Sequence, residues 1–114
     1  MISIDKLNQF GADTAEGLAR CFGNEALYLR LVNMVPAEEN FTKLSDMLAL
    51  YDLDGAFEAA HALKGVLGNL SLTPMYEKVA EITELLRSRT EMDYSVLLKE
   101  LLDMRDELEK LCEE

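Results

Sequence analysis

Residues 54–70 read Asp54-Gly55-Ala56-Phe57-Glu58-Ala59-Ala60-His61-Ala62-Leu63-Lys64-Gly65-Val66-Leu67-Gly68-Asn69-Leu70. Within them Ala56, Ala60, Leu63, Leu67 and Leu70 recur at steps of 4, 3, 4 and 3. Apolar residues at that spacing line one side of an α-helix. Strict alternation of threes and fours keeps the stripe narrow, which suits helices crossing at shallow angles in a bundle. The stretch predicts a helix with one buried seam.

The same beat continues on both sides. Phe41, Leu44, Leu48 and Tyr51 step by 3, 4 and 3; Met75, Val79, Ile82 and Leu86 step by 4, 3 and 4. Tyr94, Leu97, Leu101, Met104, Leu108 and Leu111 step by 3, 4, 3, 4 and 3. Thr73 is the expected N-cap of the third of these four helices, with Pro74 at its first position. The links, around residues 52–54, 71–73 and 88–92, are short, and short links make neighbouring helices antiparallel. The expected fold is all-α: an antiparallel up-and-down four-helix bundle over about residues 37–113. Breaks at Gly23, Pro36, Gly55 and Pro74 argue against one long coiled coil.

Before the bundle, a weak segment from Ile4 to Phe10 ends at Gly11. Asp13 is placed to cap a helix carrying Leu18, Ala19 and Phe22 that stops at Gly23. Asn24 is placed to cap another, with Leu27, Leu31, Met34 and Val35 on one side before Pro36. Two short N-terminal helices, within about residues 1–35, are thus expected to cover one end of the bundle, and residues 1–114 to form a single domain. Met34, Met75 and Met104 fall on apolar seams and read as core.

Composition narrows the function. The chain has 114 residues, of which 49% are hydrophobic, enough for a core and too many for disorder. Eleven Lys and Arg against 22 Asp and Glu give a net charge of −11. Such a chain is repelled by phosphate backbones and anionic lipid, so nucleic acid and membrane surfaces are not expected partners. Residues 1–10 lack the apolar run of a signal peptide, and no stretch is apolar for long enough to span a bilayer. With two cysteines, Cys21 and Cys112, and no zinc spacing, the chain reads as cytoplasmic with reduced thiols. There is one histidine.

That histidine lies opposite the seam. His61, Lys64, Gly65 and Gly68 fall at i, i+3, i+4 and i+7, within roughly a third of the helix circumference. Two glycines in one helix cost about 2 kcal/mol relative to alanine. On the stripe that carries the only His, they read as clearance for something large approaching the backbone. A largely neutral imidazole offers a ring-nitrogen lone pair that can attack phosphorus, and Lys64 can offset the charge of the resulting phosphoramidate. The chain has no nucleotide-binding loop, no Asp cluster for Mg²⁺ on this face and no second base. Transition-state stabilisation, metal included, would come from a partner.

The run Ala60-His61-Ala62-Leu63-Lys64-Gly65-Val66-Leu67-Gly68-Asn69-Leu70 resembles the His-x-Leu-Lys-Gly pattern of histidine phosphotransfer (HPt) domains. The resemblance implies a four-helix bundle with an exposed phosphorylated His in mid-helix and extra helices preceding it. It implies His61 as phosphoacceptor, Lys64 as phosphate neighbour, and Gly65 and Gly68 as docking clearance. The function it implies is transfer of a phosphoryl group between aspartyl-phosphate receiver domains, or from a histidine kinase. This is carriage rather than turnover, so neither an enzyme nor a cofactor is expected. Because the seam closes within one chain, a monomer is expected. The family often has Gly where this chain has Ser71, and small residues where it has Val66 and Leu67. Val66 and Leu67 point away from His61 by helix angle, and Ser71 lies at the helix end.

The neighbours have plainer readings too. Phe57, one turn before His61, either packs at the core edge or belongs to the docking face with Asn69. Glu58 reads as solvated, since a carboxylate there would repel a phosphoryl group. A helical adaptor that binds or inhibits a receiver or kinase without being phosphorylated is the alternative function. A metal-binding bundle needs Glu-x-x-His pairs on facing helices. Glu58 and His61 make one pair, and there is no second His to complete a site.

Overall fold

Side-chain caps start most of the helices. In the computed structural model, which describes residues 2–114, the carboxylate or amide of Asp13, Asn24 and Asp52 accepts the backbone N–H three residues on, as does the Ser3 hydroxyl. Each bond satisfies one donor that the first helical turn leaves open. The helices so begun are α1 (Ile4–Phe10), α2 (Thr14–Arg20), α3 (Glu25–Met34) and α5 (Leu53–Asn69). A 3-10 turn over Val35–Ala37 leads to α4 (Glu39–Ala49), and α6 (Thr73–Arg87) and α7 (Ser95–Glu113) complete the chain. Among the described residues there is no strand.

Three short helices, not two, precede α4. Ile4–Phe10 is a full helix of its own, because Ser3 caps its start and Leu7 and Phe10 give it a buried side. The expected Thr73 cap is not made either. Leu72 occupies that position without a side-chain bond, and the Thr73 hydroxyl donates instead to the Ser71 carbonyl at 3.4 Å.

The exits follow one pattern. After α2, α4, α5 and α6 the chain turns through Phe22, Tyr51, Ser71 and Arg89, all with φ between 50° and 57°. In each case the next residue's N–H reaches back to a carbonyl five residues earlier, as Leu72 does to Leu67 at 3.1 Å. This closure ties up carbonyls the last turn leaves open, and its left-handed residue is usually glycine. Here it is not. Phe22, expected on the apolar side of α2, is therefore turned out and 95% exposed, with Gly23 following rather than making the turn. Tyr51, expected to extend the α4 seam, is 85% exposed for the same reason.

The α5 and α6 seams pack as their spacing requires, whereas in the α7 seam Tyr94, Leu101 and Leu108 are buried and Leu97, Met104 and Leu111 only half-buried. Ala56, Ala60, Leu63, Leu67 and Leu70 are buried along α5, and Met75, Val79, Ile82 and Leu86 along α6. Helix α5 lies between α4 and α6, and α6 packs on α7. Helix α7 reaches α4 through the Arg105 guanidinium, 5.6 Å from the centre of the Phe41 ring. On α3 the buried side is Tyr28, Val32 and Val35; Leu27 and Leu31 are half-buried and Met34 is 63% exposed. The expected register on α3 is thus rotated, because Tyr28 goes inward. Its ring lies so close to Gly17 that a Cβ there would sit 2.5 Å from it. Its hydroxyl donates to the Leu70 carbonyl at 2.8 Å. Burial pushes the Tyr28 phenol up to about 12. A second bond, Asp13 N–H to the Ser71 carbonyl at 2.9 Å, fixes the N-terminal helices to the exit of α5.

Candidate functional site

Helix α5 presents His61 to solvent on the side away from its seam. The four residues of the stripe come together as spaced: His61, Lys64, Gly65 and Gly68 all border one open groove of about 580 Å³. Asn69 and Ser71 extend its floor along α5, and Thr73, Tyr76 and Glu77 form the α6 wall. The opposite wall is α2, which contributes Glu16 and Arg20, paired at 2.9 Å.

The two glycines differ in what surrounds them. Nothing lies within 4 Å of where a Gly65 Cβ would stand. A Cβ at Gly68 would meet the Tyr76 ring at 3.0 Å. Gly68 therefore admits a side chain of its own molecule, and open backbone is found at Gly65. Val66 is half-buried and Leu67 fully buried, so both turn off the stripe.

Charges around the imidazole are held in pairs. The Lys64 ammonium lies 3.9 Å from the Glu84 carboxylate of α6, which also meets Arg87 at 3.3 Å. Contacts this exposed restrain a side chain weakly and leave Lys64 able to swing toward a new anion. Glu58 is exposed and makes no bond to the ring. The Phe57 ring stacks against the His61 ring with centroids 5.7 Å apart and planes at 20°. Phe57 itself is half-buried against the core edge. Ser71 closes the helix at φ 53°, its hydroxyl buried without a partner.

An exposed imidazole on a rigid helix, a lysine one turn on and bare backbone beside it can present a nucleophilic nitrogen to a large partner. Comparison with known families agrees. The family model described as Hpt domain matches residues 34–113, from the end of α3 through α7. The chain belongs to the Hpt domain family. No curated protein and no solved structure matched it.

Hpt domains take part in histidine phosphotransfer in two-component signalling with receiver domains and kinases, as carriers rather than enzymes of the usual kind. In this Hpt domain, no helix among the described residues is long and apolar enough to cross a membrane. Sequence reasoning missed three parts of the site. Arg20 and Glu16 lie outside the matched span and reach the groove only through the packing of α2 at the α5 exit. Tyr76 was hidden beside the Met75 seam, although aromatic and glycine faces often meet where helices approach closely. The guanidiniums of Arg87 and Arg89, 5.1 and 4.9 Å from the Phe57 ring centre, come from the end of α6 and carried no local signal.

Proposed function

We propose that this Hpt domain carries a phosphoryl group on His61 between aspartyl-phosphate receiver domains. A ring nitrogen attacks the phosphorus of the acyl phosphate, the new P–N bond forms as the P–O bond to the aspartate breaks, and the aspartate leaves as a carboxylate. The imidazolium then sheds the proton on its other nitrogen to water. Transfer to the next receiver runs the same exchange in reverse. The observation that carries the reading is His61 itself, the sole histidine, exposed in mid-helix beside bare backbone at Gly65 within the family match.

Lys64 is the phosphate neighbour, close enough along the helix to trade Glu84 for phosphoryl oxygens. Gly65 supplies the docking clearance, Gly68 shapes the groove through Tyr76, and Phe57 and Asn69 border the contact face. The setting we infer is one domain over residues 1–114, with α4–α7 as an antiparallel up-and-down bundle, acting as a cytoplasmic monomer. A receiver phosphorylated with ³²P should pass acid-labile label to this chain, and His61→Gln should abolish it. Label that survives His61→Gln, or none on the wild-type chain, refutes the acceptor. Binding without label would leave the adaptor function in its place.

A further inference from the structure

Among the described residues His61 has no hydrogen-bond partner, so none of them fixes its ring by a polar contact. Attack on phosphorus requires the nitrogen lone pair to be aimed along the breaking bond, and a free exposed side chain samples several rotamers. The ring partner the structure gives His61 is Phe57. Phe57 is in turn approached by two arginines. Arg89 and Arg87 place guanidiniums 4.9 and 5.1 Å from its centroid, within cation–π range. Arg89 makes two short bonds: Nε donates to Asp54 Oδ1 at 2.6 Å and Nη1 to the Leu86 carbonyl at 2.7 Å.

The backbone at Arg89 sets where its side chain leaves the helix. With φ 50° it is the left-handed residue closing α6, where its N–H bonds the Leu86 carbonyl and Thr90 N–H bonds that of Leu85. Glycine would take that conformation without strain. Phe22, Tyr51 and Ser71 take the same left-handed turn, but at Arg89 the side chain leaves it to bridge α6 to the start of α5 and to lie over Phe57.

We infer that Phe57 is a positioning residue for His61 and that Arg89, assisted by Arg87, holds Phe57 in place. The inference rests on His61 being the acceptor. It extends the site beyond the groove residues to Phe57 and the end of α6.

The test uses the full chain with phosphoramidate as donor, so that receiver docking does not enter. His61 phosphorylation is followed by ³¹P NMR, His61 ring-proton shifts are read before donor is added, and thermal melting is recorded for each variant. Phe57→Leu should slow phosphorylation roughly fivefold and remove the ring-current shift at His61, while Phe57→Trp restores both. Arg89→Gly should melt at or above the wild-type temperature yet phosphorylate about threefold more slowly. A residue with only a structural role would lower the melting temperature and leave the rate alone. Phe57→Leu at the wild-type rate, or with unchanged His61 shifts, overturns the inference. If phosphoramidate labels a site that persists in His61→Gln, the acceptor reading falls first and the relay with it, whereas the His61 shifts report the stacking separately.

Discussion

Gly65 in the middle of α5 and Ser71 at its exit are each the residue that stability alone would reject, for opposite reasons. Around Gly65 there is room for a Cβ on ordinary helical backbone, so alanine would hold the helix better. At Ser71 the backbone is left-handed and the hydroxyl is buried without a partner, so glycine would relax it. One position leaves the surface bare beside His61. The other keeps a side chain its backbone does not want, and nothing in the structure explains that choice. What the structure uses at Ser71 is the carbonyl, which accepts from Asp13 N–H and the Thr73 hydroxyl. Under the proposed function the bareness at Gly65 serves docking, whereas the turn at Ser71 belongs to the joint between the N-terminal helices and α5.

The contrast can be broken at its functional end first. Gly65→Arg should cut transfer from a phosphorylated receiver by about 100-fold, through misplacement of the reacting groups, with the melting curve barely moved. Normal transfer in that variant would mean the open backbone has no docking role.

At the joint, Tyr28→Phe leaves the Leu70 carbonyl without its donor and should cost about 1–3 kcal/mol in denaturant unfolding. The same variant changes the alkaline limb. The folded-state phenol is raised from 10.0 to about 12, so the folded protein holds a proton the unfolded chain loses. Its contribution is full below pH 10 and is lost as pH climbs toward 12. Tyr28→Phe should lack that component of the decline.

The smallest effects sharpen the comparison most directly. Gly65→Ala and Ser71→Gly should each stabilise by about 1 kcal/mol, the first through helix propensity and the second through relief of strain. Gly68→Ala should gain close to nothing in the same unfolding series, since its Cβ would press the Tyr76 ring at 3.0 Å.

Local periodicity made the core of α5 and α6 readable: every seam residue from Ala56 to Leu70 and from Met75 to Leu86 is buried. It failed where a residue's fate depends on distant chain. Tyr28 turns inward because Gly17 makes room and Leu70 offers a carbonyl, and neither is a neighbour in sequence. Phe22 and Tyr51 broke their patterns because helix closure through a non-glycine residue has no compositional mark. At the site, the His61 stripe was legible because helical spacing alone aligns its residues. Which glycine stays open was not, since that is decided by Tyr76 on another helix. The hold on Phe57 joins Asp54 to Arg89 across 35 positions.

The bonds from Asp13 and Tyr28 to the α5 exit carry one more consequence. Ile2, Leu7, Phe10 and Tyr28 belong to the same buried cluster as Leu67, Leu72 and Met75, yet the family match starts at residue 34. A chain trimmed to that match would keep helix α5 with His61 and strip the cover from its end. Two carbonyls and the slot filled by the Tyr28 ring would open to water. The stretch that marks kinship and the stretch that excludes water are two different lengths of this chain, and the longer one sets where it can be cut.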